Sequence, residues 1–366
     1  MENKTGQYTS CIGLTQQFRH CGNPLRIDTY RGCSFGCKYC FANNRGGNIT
    51  IKSQVADMKY IKRMFSKALD NNDETKNIVV EMMRHRVPLH LGGMSDPFQD
   101  REWEYRATYE LLKLSKQYNY PIIMSTKQCY LPEEYWDILD PNIHAFQISL
   151  FTDDEELLRK FETNTPSPDE RINFIKTLHS RGFWVGVRIQ PLVDIESAIS
   201  LVKKINGFVD YITVEHLKIC NDNRKMAEEL FMVSSHSIDE YKCTGRNYEL
   251  KTEIKKQNVQ RIKAIASCPV GCGDNDLHEF SDSHCCCGID TINENFNNWS
   301  KYNSMNIKMT NRTDYWYPKC NCSSSFNSEC VIKGLDFKGY VDNYIQKGLV
   351  DKKCNFKMRS TTKQND

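Results

Sequence analysis

The feature that most limits how this chain can fold is an alternation of strand-like and helix-like segments between residues 25 and 218. Six short runs rich in β-branched and aromatic residues are separated by longer segments with helical patterning. The runs are Leu25 to Thr29, Pro88 to Leu91, Tyr120 to Ser125, Ala145 to Leu150, Phe183 to Ile189 and Tyr211 to Val214. Strands that alternate with helices pair in parallel through right-handed crossovers. The alternation therefore predicts an α/β fold with six parallel strands.

Two of the intervening helices carry start signals in the sequence. Thr152-Asp-Asp-Glu155 and Ser167-Pro-Asp-Glu170 both match a capping box, in which the side chains of the first and fourth residues bond to each other's backbone N–H groups. Pro168 stands at the first helical position, where proline is favoured. The sequence thus predicts helices that begin after Thr152 and after Ser167.

The pattern changes beyond residue 220. A polar, Lys- and Glu-rich helical stretch is followed by Cys-rich segments and by a Lys-rich tail. We expect one large domain over residues 1–222, a Cys-rich and metal-binding C-terminal region over 223–355, and a disordered tail over 356–366.

Charge and hydropathy say little about partners but exclude a membrane span. The formal net charge of +3 neither requires nor excludes a nucleic-acid partner. The N-terminus lacks a continuous apolar segment, and no run approaches the roughly 20 apolar residues that cross a bilayer. We expect a soluble, cytoplasmic protein without a membrane partner.

Cysteines are abundant, at seventeen in 366 residues. An odd number argues against a fully paired disulfide framework, and clustered cysteines in a reducing compartment more often bind metal. They form three groups, at Cys33 to Cys40, Cys268 to Cys287 and Cys320 to Cys330.

The first group, Cys33, Cys37 and Cys40, follows the first predicted strand directly. Barrels of alternating strands and helices place their chemistry on such loops. Three thiolates leave one iron of a four-iron cubane open to a cofactor or substrate. Structural zinc prefers four ligands, and no fourth lies in this loop, so iron–sulfur is favoured over zinc or free thiols.

At these residues the chain resembles the radical S-adenosylmethionine (radical SAM) superfamily, and within it the spore photoproduct lyase-like branch. Segments in the matching order cover about residues 20 to 218. They are the cysteine loop, Leu91-Gly-Gly-Met-Ser-Asp-Pro-Phe98, Ser125-Thr-Lys127, Ser149-Leu-Phe-Thr152, the run Glu162 to Arg171, and Gly186 to Leu192. The resemblance implies a partial parallel (β/α)6 TIM-like barrel with a Cys-rich C-terminal extension.

The resemblance also implies which residues bind S-adenosylmethionine. Ser95 and Asp96 would hold its amino group, Lys127 its carboxylate and Ser149 its ribose, with Tyr39 near the adenine. Gly92, Gly93 and Arg188 complete the candidate cofactor-binding residues. An ordinary turn at Ser95 to Pro97, a tight packing point at Gly92 and Gly93, and a surface lysine at Lys127 are the alternatives. Arg188 lies in an otherwise apolar strand, so we expect it to meet a carboxylate, from the protein or from a ligand.

The implied activity is reductive cleavage of S-adenosylmethionine at a 4Fe-4S cluster, followed by removal of a hydrogen atom from a substrate. An electron donor such as flavodoxin or ferredoxin would be the partner. The substrate, which the sequence does not identify, would be a nucleic acid, a peptide or a small molecule. The alternative is a metal-stabilised protein that binds nucleic acid or another partner without catalysis.

One departure from the branch concerns the hydrogen donor. Photoproduct lyases carry a donor cysteine beside the serine and aspartate of the second strand, and here the neighbouring positions are Gly92, Gly93 and Met94. The resemblance therefore does not extend to DNA photoproduct repair. Cys129 is the candidate donor, with a small packed thiol as the alternative.

The second group contains Cys268, Cys272, Cys285, Cys286 and Cys287, with His278 and His284 between them. Soft ligands at this density predict a second metal site, either an auxiliary iron–sulfur cluster or zinc, with free thiols as the alternative. The third group, Cys320, Cys322 and Cys330, follows the aromatic run that starts at Tyr315. It would complete that metal site, stack against unpaired bases, or form a small aromatic core.

Overall fold

The computed structural model describes residues 6–14, 23–44, 54–71, 77–220, 224–244, 247–274, 276–277, 280–283, 285–297, 331–332 and 335–336. His278, His284, the third cysteine group and the predicted tail at 356–366 lie outside the described residues, and the hypotheses about them stay predictions.

The strands of the described residues are short, and most lie in one sheet. They are β1 (Gly6–Tyr8), β2 (Ile12–Leu14), β3 (Leu25–Ile27), β4 (Tyr30–Arg31), β5 (Gln54–Ala56), β6 (Leu89–Leu91), β7 (Ile122–Thr126), β8 (His144–Ser149), β9 (Val185–Leu192), β10 (Tyr211–His216), β11 (Ile219–Cys220), β12 (Tyr241–Cys243), β13 (Asn247–Leu250), β14 (Val270–Cys272), β15 (Val331–Ile332) and β16 (Leu335–Asp336).

The helices alternate with the strands of the central sheet. They are α1 (Met58–Leu69), α2 (Ile78–Arg84), α3 (Asp100–Tyr105), α4 (Ala107–Tyr118), α5 (Glu133–Trp136), α6 (Glu155–Phe161), α7 (Pro168–Ser180), α8 (Ile195–Ile205), α9 (Arg224–Val233) and α10 (Thr252–Lys263). Within the described part of the chain, none of them is both long and apolar enough to cross a bilayer.

The central sheet has eight strands in the order β14-β10-β9-β8-β7-β6-β3-β2. Its pairs are parallel except for β2 with β3. The parallel strands follow one another across the sheet in chain order. Right-handed crossovers therefore place the connecting helices on one face. We call the opposite face, which carries His90, Ser125, Gln147 and Arg188, the inner face.

All six predicted strands are confirmed, as β3, β6, β7, β8, β9 and β10, with ends shifted by a few residues. The predicted total of six falls short of the sheet, because β2 and β14 also join it. Each has only three residues, and β14 lies among cysteines, so neither shows a strand pattern of its own. Since β14 comes from the predicted C-terminal region, that region contributes a strand to the sheet. The domain boundary at residue 222 stays a prediction.

The two predicted helix starts have different outcomes. The capping box at Ser167 is present, with Glu170 bonded back to the Ser167 backbone and Pro168 in the first turn. The box at Thr152 is wrong, because α6 is capped by Asp154, whose carboxylate accepts from Leu157 N at 3.1 Å. The Thr152 hydroxyl instead accepts from the Asp154 N–H at 2.9 Å, which forms a local turn before the helix.

The core lies between the sheet and its helices. Phe146 of β8 is fully buried, and its ring centroid lies 6.3 Å from that of Phe174 on α7 and 5.4 Å from that of Phe183, both edge to face. Burial of one such side chain contributes about 1.5–3 kcal/mol. This packing holds the strands, and hence the loops at their carboxyl ends, in fixed positions.

Residues 285–297 run along the inner face near the amino ends of the strands. The carbonyl of Cys286 accepts from Thr213 Oγ1 and that of Cys287 from Gln147 Nε2, each at 3.0 Å. Farther along, Asn293 and Asn295 each donate to the carbonyl of Asn142, which precedes β8. The segment thus covers the amino-terminal part of the inner face, and the carboxyl ends of the strands meet the loops described next.

Candidate active site at the carboxyl ends of the parallel strands

The loop that carries Cys33, Cys37 and Cys40 follows β3 and β4. Gly32 and Gly36 have φ of +90° and +63°, so the loop turns where residues with a Cβ are disfavoured. Asn164, beyond the end of α6, donates from Nδ2 to the carbonyl of Ser34 at 3.0 Å, and Lys38 N donates to the carbonyl of Phe161 at 2.9 Å. These bonds fix the cysteine loop against the segment after α6.

Burial governs the chemistry of these thiols. It raises the pKa of Cys33 to about 11 and that of Cys37 to about 12. At Cys37 the field of Lys127 opposes the rise. Because the thiolate is the form that binds metal, a cationic ligand has to supply the charge that makes these groups ionise.

A buried network lies beside Cys37 and consists of Tyr39, Lys127, Glu162 and Arg171, which we call the loop network. Glu162 and Arg171 have fully buried side chains, and Arg171 Nη2 lies 2.6 Å from Glu162 Oε2. Lys127 Nζ lies 2.9 Å from the other carboxylate oxygen and donates to the Tyr39 hydroxyl at 2.8 Å. The Tyr39 hydroxyl in turn donates to Glu162.

The loop network contains more positive than negative charge. Burial would raise the pKa of Glu162, but Lys127 and Arg171 overcome that effect and hold the pKa at about 2. Burial likewise opposes the protonated form of Lys127, and Glu162 raises its pKa above the ordinary value. One carboxylate therefore faces two cations, and the excess positive charge lies next to the cysteine loop.

These residues fit a 4Fe-4S cluster. Three thiolates outweigh the positive charge of the cubane core, so the assembly is anionic, and the excess positive charge of the loop network suits it. The loop's own glycines admit a bulky ligand close to the backbone. The fit rests on donor type and charge at Cys33, Cys37 and Cys40.

Ser95 and Asp96, the predicted site residues after β6, form hydrogen bonds that hold the cysteine loop and the end of β7 in place. Asp96 accepts from Lys127 N at 2.7 Å, Thr126 Oγ1 at 2.8 Å and Phe98 N at 2.9 Å. The Ser95 hydroxyl donates to the carbonyl of Tyr30 at 2.6 Å. Both side chains are buried. They tie the end of β6 to β7 and to the start of the cysteine loop, and their contact with a cofactor amino group stays a prediction.

The glycines before them differ in what they require. Gly92 has φ of +92°, and a Cβ there would collide with the carbonyl oxygen of Ser125 and lie 2.9 Å from Cδ of Pro97. At Gly93 a Cβ would meet only Asp28, at 4.0 Å. Close backbone packing therefore requires glycine at position 92, as the packing alternative predicts. At Gly93 the described residues leave open space beside the loop.

Ser149, the last residue of β8, is the register partner of Arg188, which lies in the middle of β9. The Ser149 carbonyl accepts from Arg171 Nη1 at 2.8 Å, which joins the loop network to β8. The Ser149 side chain is half-buried, and its hydroxyl has no hydrogen-bond partner among the described residues. It is available to a ligand, as the predicted ribose contact requires.

A chain of polar side chains crosses the inner face from β6 to β10. His90 Nε2 lies 2.7 Å from Ser125 Oγ, which donates to Gln147 Oε1 at 3.0 Å. Arg188 donates from Nη1 to the same Gln147 oxygen at 3.4 Å and from Nε to Gln190 Oε1 at 3.1 Å. Gln190 Nε2 donates to Glu215, which is paired with Lys218.

Of these polar side chains on the inner face, only Arg188 is predicted from the sequence as a site residue. The signal that could have found the rest is a polar residue at every second position of an apolar strand, as at Arg188 and Gln190 in β9. In a sheet with helices on one face, such residues mark the other face. Burial, aided by Arg188, lowers the pKa of His90 to about 3, so its imidazole is neutral near pH 7.

Cys129, the candidate hydrogen donor, lies in the segment after β7. Its side chain is half-buried, and burial, together with Glu170, raises its pKa. Its backbone N–H donates to the Gln128 side chain at 2.9 Å. The structure leaves its role a prediction.

The second cysteine group is only partly brought together. The Sγ atoms of Cys285 and Cys287 lie 3.0 Å apart, and the pKa of Cys285 is raised by its bonds to Cys286 and Cys287. Cys272 ends β14, whereas Cys268 precedes that strand and has its pKa raised to about 11 by burial and then by Asp210. As placed, no three His, Cys, Asp or Glu side chains of the described residues form a group that could hold a metal ion, and this holds for Cys33, Cys37 and Cys40 as well as for the second group. The loop cysteines therefore match a cluster in donor type and charge, and not in their present spacing. The second metal site stays a prediction.

Comparison with known proteins gives a family and a fold. Residues 27–202 match the family model described as the Radical SAM superfamily. An uncharacterised protein of Mycobacterium tuberculosis is 25% identical over 183 residues, which cover 46% of this chain and 50% of that protein. The chain thus spans about half the length of the mycobacterial relatives it matches. An uncharacterised protein of Methanocaldococcus jannaschii is 22% identical over 262 residues, which cover 67% of this chain and 90% of that protein.

Among solved structures, a mutant form of spore photoproduct lyase has a TM-score of 0.51 at 16% sequence identity. The match covers 71% of this chain and 77% of the other. At this identity the likeness concerns the fold, a large parallel sheet with helices.

Proposed function

We infer that this chain, whose residues 27–202 match the radical SAM superfamily, is an enzyme of that type that binds a 4Fe-4S cluster through Cys33, Cys37 and Cys40 and takes a hydrogen atom from a substrate. The observation that supports this most is the excess positive charge of the loop network beside Cys37. Since membership makes the chain an enzyme, the non-catalytic binding protein is set aside.

When bound and reduced, the cluster supplies the electron that cleaves S-adenosylmethionine to methionine and a 5′-deoxyadenosyl radical. The chain's own residues bind and orient. Lys127 and Arg171 provide the positive field around Cys37, and Glu162 keeps both cations charged in a buried position. Tyr39, bonded to Lys127 and Glu162, is held at the edge of the cysteine loop.

The cofactor contacts in this proposal follow the strand ends. Lys127 would bind the carboxylate of S-adenosylmethionine, Ser149 its ribose, and the loop with Ser95 and Asp96 its amino group. Gly93 leaves room for a ligand beside that loop. Packing of the helices against the sheet holds these groups in place, which favours one orientation of the reacting C–H bond.

The wider setting is also proposed. The sheet would form the partial barrel implied by the sequence, and a small reductant of the flavodoxin or ferredoxin type would deliver the electron. The Cys272 and Cys285 to Cys287 region would hold an auxiliary cluster or zinc. A cytoplasmic location follows from the reduced state that these cysteines need.

The test is formation of 5′-deoxyadenosine. Protein reconstituted anaerobically with iron and sulfide, reduced with dithionite and given S-adenosylmethionine should form 5′-deoxyadenosine. Cys37→Ala should abolish it because the cluster loses a ligand. Cys243→Ala is the matched control, since Cys243 is exposed on β12. If wild-type protein loaded with iron and reduced forms no 5′-deoxyadenosine, the proposed function fails.

A further inference from the structure

Among the described residues, the inner face carries a cation that no carboxylate neutralises. Within that part of the chain the guanidinium of Arg188 bonds to the side-chain oxygens of Gln147 and Gln190, and no carboxylate oxygen lies within 4.0 Å of it. The sequence predicts a carboxylate partner, from the protein or from a ligand. Because a half-buried cation without a counter-charge is costly, Arg188 is suited to the carboxylate of a ligand.

No described neighbour of Arg188 is free to supply that charge. His90 carries no negative charge, and burial and Arg188 itself lower its pKa to about 3, so its imidazole is neutral near pH 7. Glu215 is already bonded by Lys218 and by Gln190 Nε2. Burial opposes the charge on Lys218, yet Glu215 and Asp274 raise its pKa, so Lys218 stays protonated beside Glu215.

The two glutamines hold the guanidinium in one orientation. Gln147 Nε2 donates to the Cys287 carbonyl at 3.0 Å, and Gln190 Nε2 donates to Glu215. Each amide must therefore present its oxygen to Arg188. The positively charged fork is thus fixed before any ligand arrives, which lowers the entropic cost of binding.

The hydrogen bonds still available to Arg188 form a pair. An arginine has five N–H groups, one on Nε and two on each terminal nitrogen. Nε, one N–H of Nη1 and one of Nη2 donate to the glutamines. By count, one N–H on each terminal nitrogen is left for a ligand, and a guanidinium can donate from both terminal nitrogens to the two oxygens of a carboxylate.

We propose that Arg188 binds a carboxylate group of the substrate. The inference rests on the proposed function and adds the class of molecule on which the enzyme acts. A single carboxylate balances the single charge of Arg188, whereas a phosphate monoester carries more charge than Arg188 can balance alone. In the proposed function the carboxylate of S-adenosylmethionine is assigned to Lys127, which follows β7, two strands away on the sheet and beside the cysteine loop.

Acetate is the probe for this subsite, with acetamide as its uncharged counterpart. Reconstituted protein with S-adenosylmethionine bound is heated in rising acetate at constant ionic strength, and its unfolding temperature is recorded. Acetate well above its dissociation constant should raise that temperature by about 2 °C in the wild type. Arg188→Gln should show no rise, while Arg261→Gln, whose arginine is an exposed partner of Glu196 on α8, should respond as the wild type does.

Several outcomes would overturn the proposal. They are an equal acetate effect in Arg188→Gln, an equal effect of acetamide, a response to inorganic phosphate instead of acetate, or an acetate effect that S-adenosylmethionine abolishes. The last would make Arg188 a ligand of the cofactor.

If Arg188→Gln does not fold, Arg188→Lys is the second variant, because it keeps the charge but loses the forked guanidinium. Its acetate effect should fall at least by half. An undiminished effect contradicts the proposal. If the wild-type protein forms no 5′-deoxyadenosine, the proposed function is refuted, but the acetate result is unaffected.

Discussion

Two buried charge networks in this chain are built in opposite ways. In the loop network, one carboxylate, Glu162, lies between two cations. At the end of β10, one buried cation, Lys255 of α10, faces three carboxylates, those of Asp276 at 2.5 Å and of Asp274 and Glu249 at 3.8 Å. We call this second set, with His216, the β10 network.

In the β10 network, the charged groups pair with one another. His216 Nδ1 lies 2.7 Å from Asp274 Oδ2, and both side chains are 1% exposed. Burial would raise the pKa of Asp274, but His216, Lys218 and Lys255 lower it. Its contacts join α10 to β10 and to the segment after β14, so its role is to hold that segment on the sheet.

The loop network, in contrast, directs its excess charge at three thiols. The comparison teaches that buried ions alone do not mark a reaction site, since both networks have them. What distinguishes the loop network is the sign of its charge: positive charge is in excess beside the cysteine loop, whereas carboxylates outnumber the buried lysine in the β10 network.

The largest effect should come from Glu162→Gln. The change leaves Lys127 and Arg171 buried without a counter-charge and should lower the free energy of unfolding by about 3–5 kcal/mol. Urea unfolding of the iron-free protein measures it. Glu156→Gln is the control, because Glu156 is 85% exposed and pairs only with Lys160. A loss below about 1 kcal/mol would mean that the network is not an energetic unit.

Acid should remove the contribution of Glu162. Its folded pKa of about 2 lies below the ordinary value of 4.5, so its stabilising effect is complete above pH 4.5 and is lost as the pH falls to about 2. The difference in unfolding free energy between wild type and Glu162→Gln should therefore be constant above pH 4.5 and shrink below it. A difference that stays constant down to about pH 2 contradicts the assignment.

A smaller effect is expected for Lys255→Met, about 2 kcal/mol. Asp276 and Glu249 are 24% and 21% exposed, so water screens part of the charge left behind. Formation of 5′-deoxyadenosine per bound cluster should not change, because the β10 network does not touch the cysteine loop. Lys251→Met, at an exposed position before α10, is the control. A loss of 5′-deoxyadenosine formation as large as that of Cys37→Ala would remove the distinction between the networks.

The sequence predicted what depends on local patterning. The six strands and the Ser167 capping box follow from periodicity and backbone preference, and all are present. The start of α6 was missed because Thr152 and Asp154 can both cap a helix, and only the contact of Thr152 with Ser197 of α8 decides between them.

For a related reason, the partners in the charge networks could not be predicted from the sequence. Glu162, Arg171 and Lys127 come from three segments, and their balance is set by which of them meet. Glu162 and Arg171 lie nine residues apart in sequence, and Lys127 joins them because β7 ends beside the cysteine loop. The same holds for Gln147, Gln190 and Glu215, whose pattern becomes a polar chain only across neighbouring strands.

The most direct test of the central claim is the iron bound by each cysteine group. Wild-type protein, a variant with Cys268, Cys272, Cys285, Cys286 and Cys287 replaced by alanine, and Cys33→Ala/Cys37→Ala/Cys40→Ala are reconstituted anaerobically. Iron is then counted per chain. We expect about four irons to remain in the variant that lacks the second group, and the variant that lacks the loop cysteines to bind about four fewer irons than the wild type. An iron count in that loop variant equal to the wild-type count would contradict the assignment of the cluster to Cys33, Cys37 and Cys40.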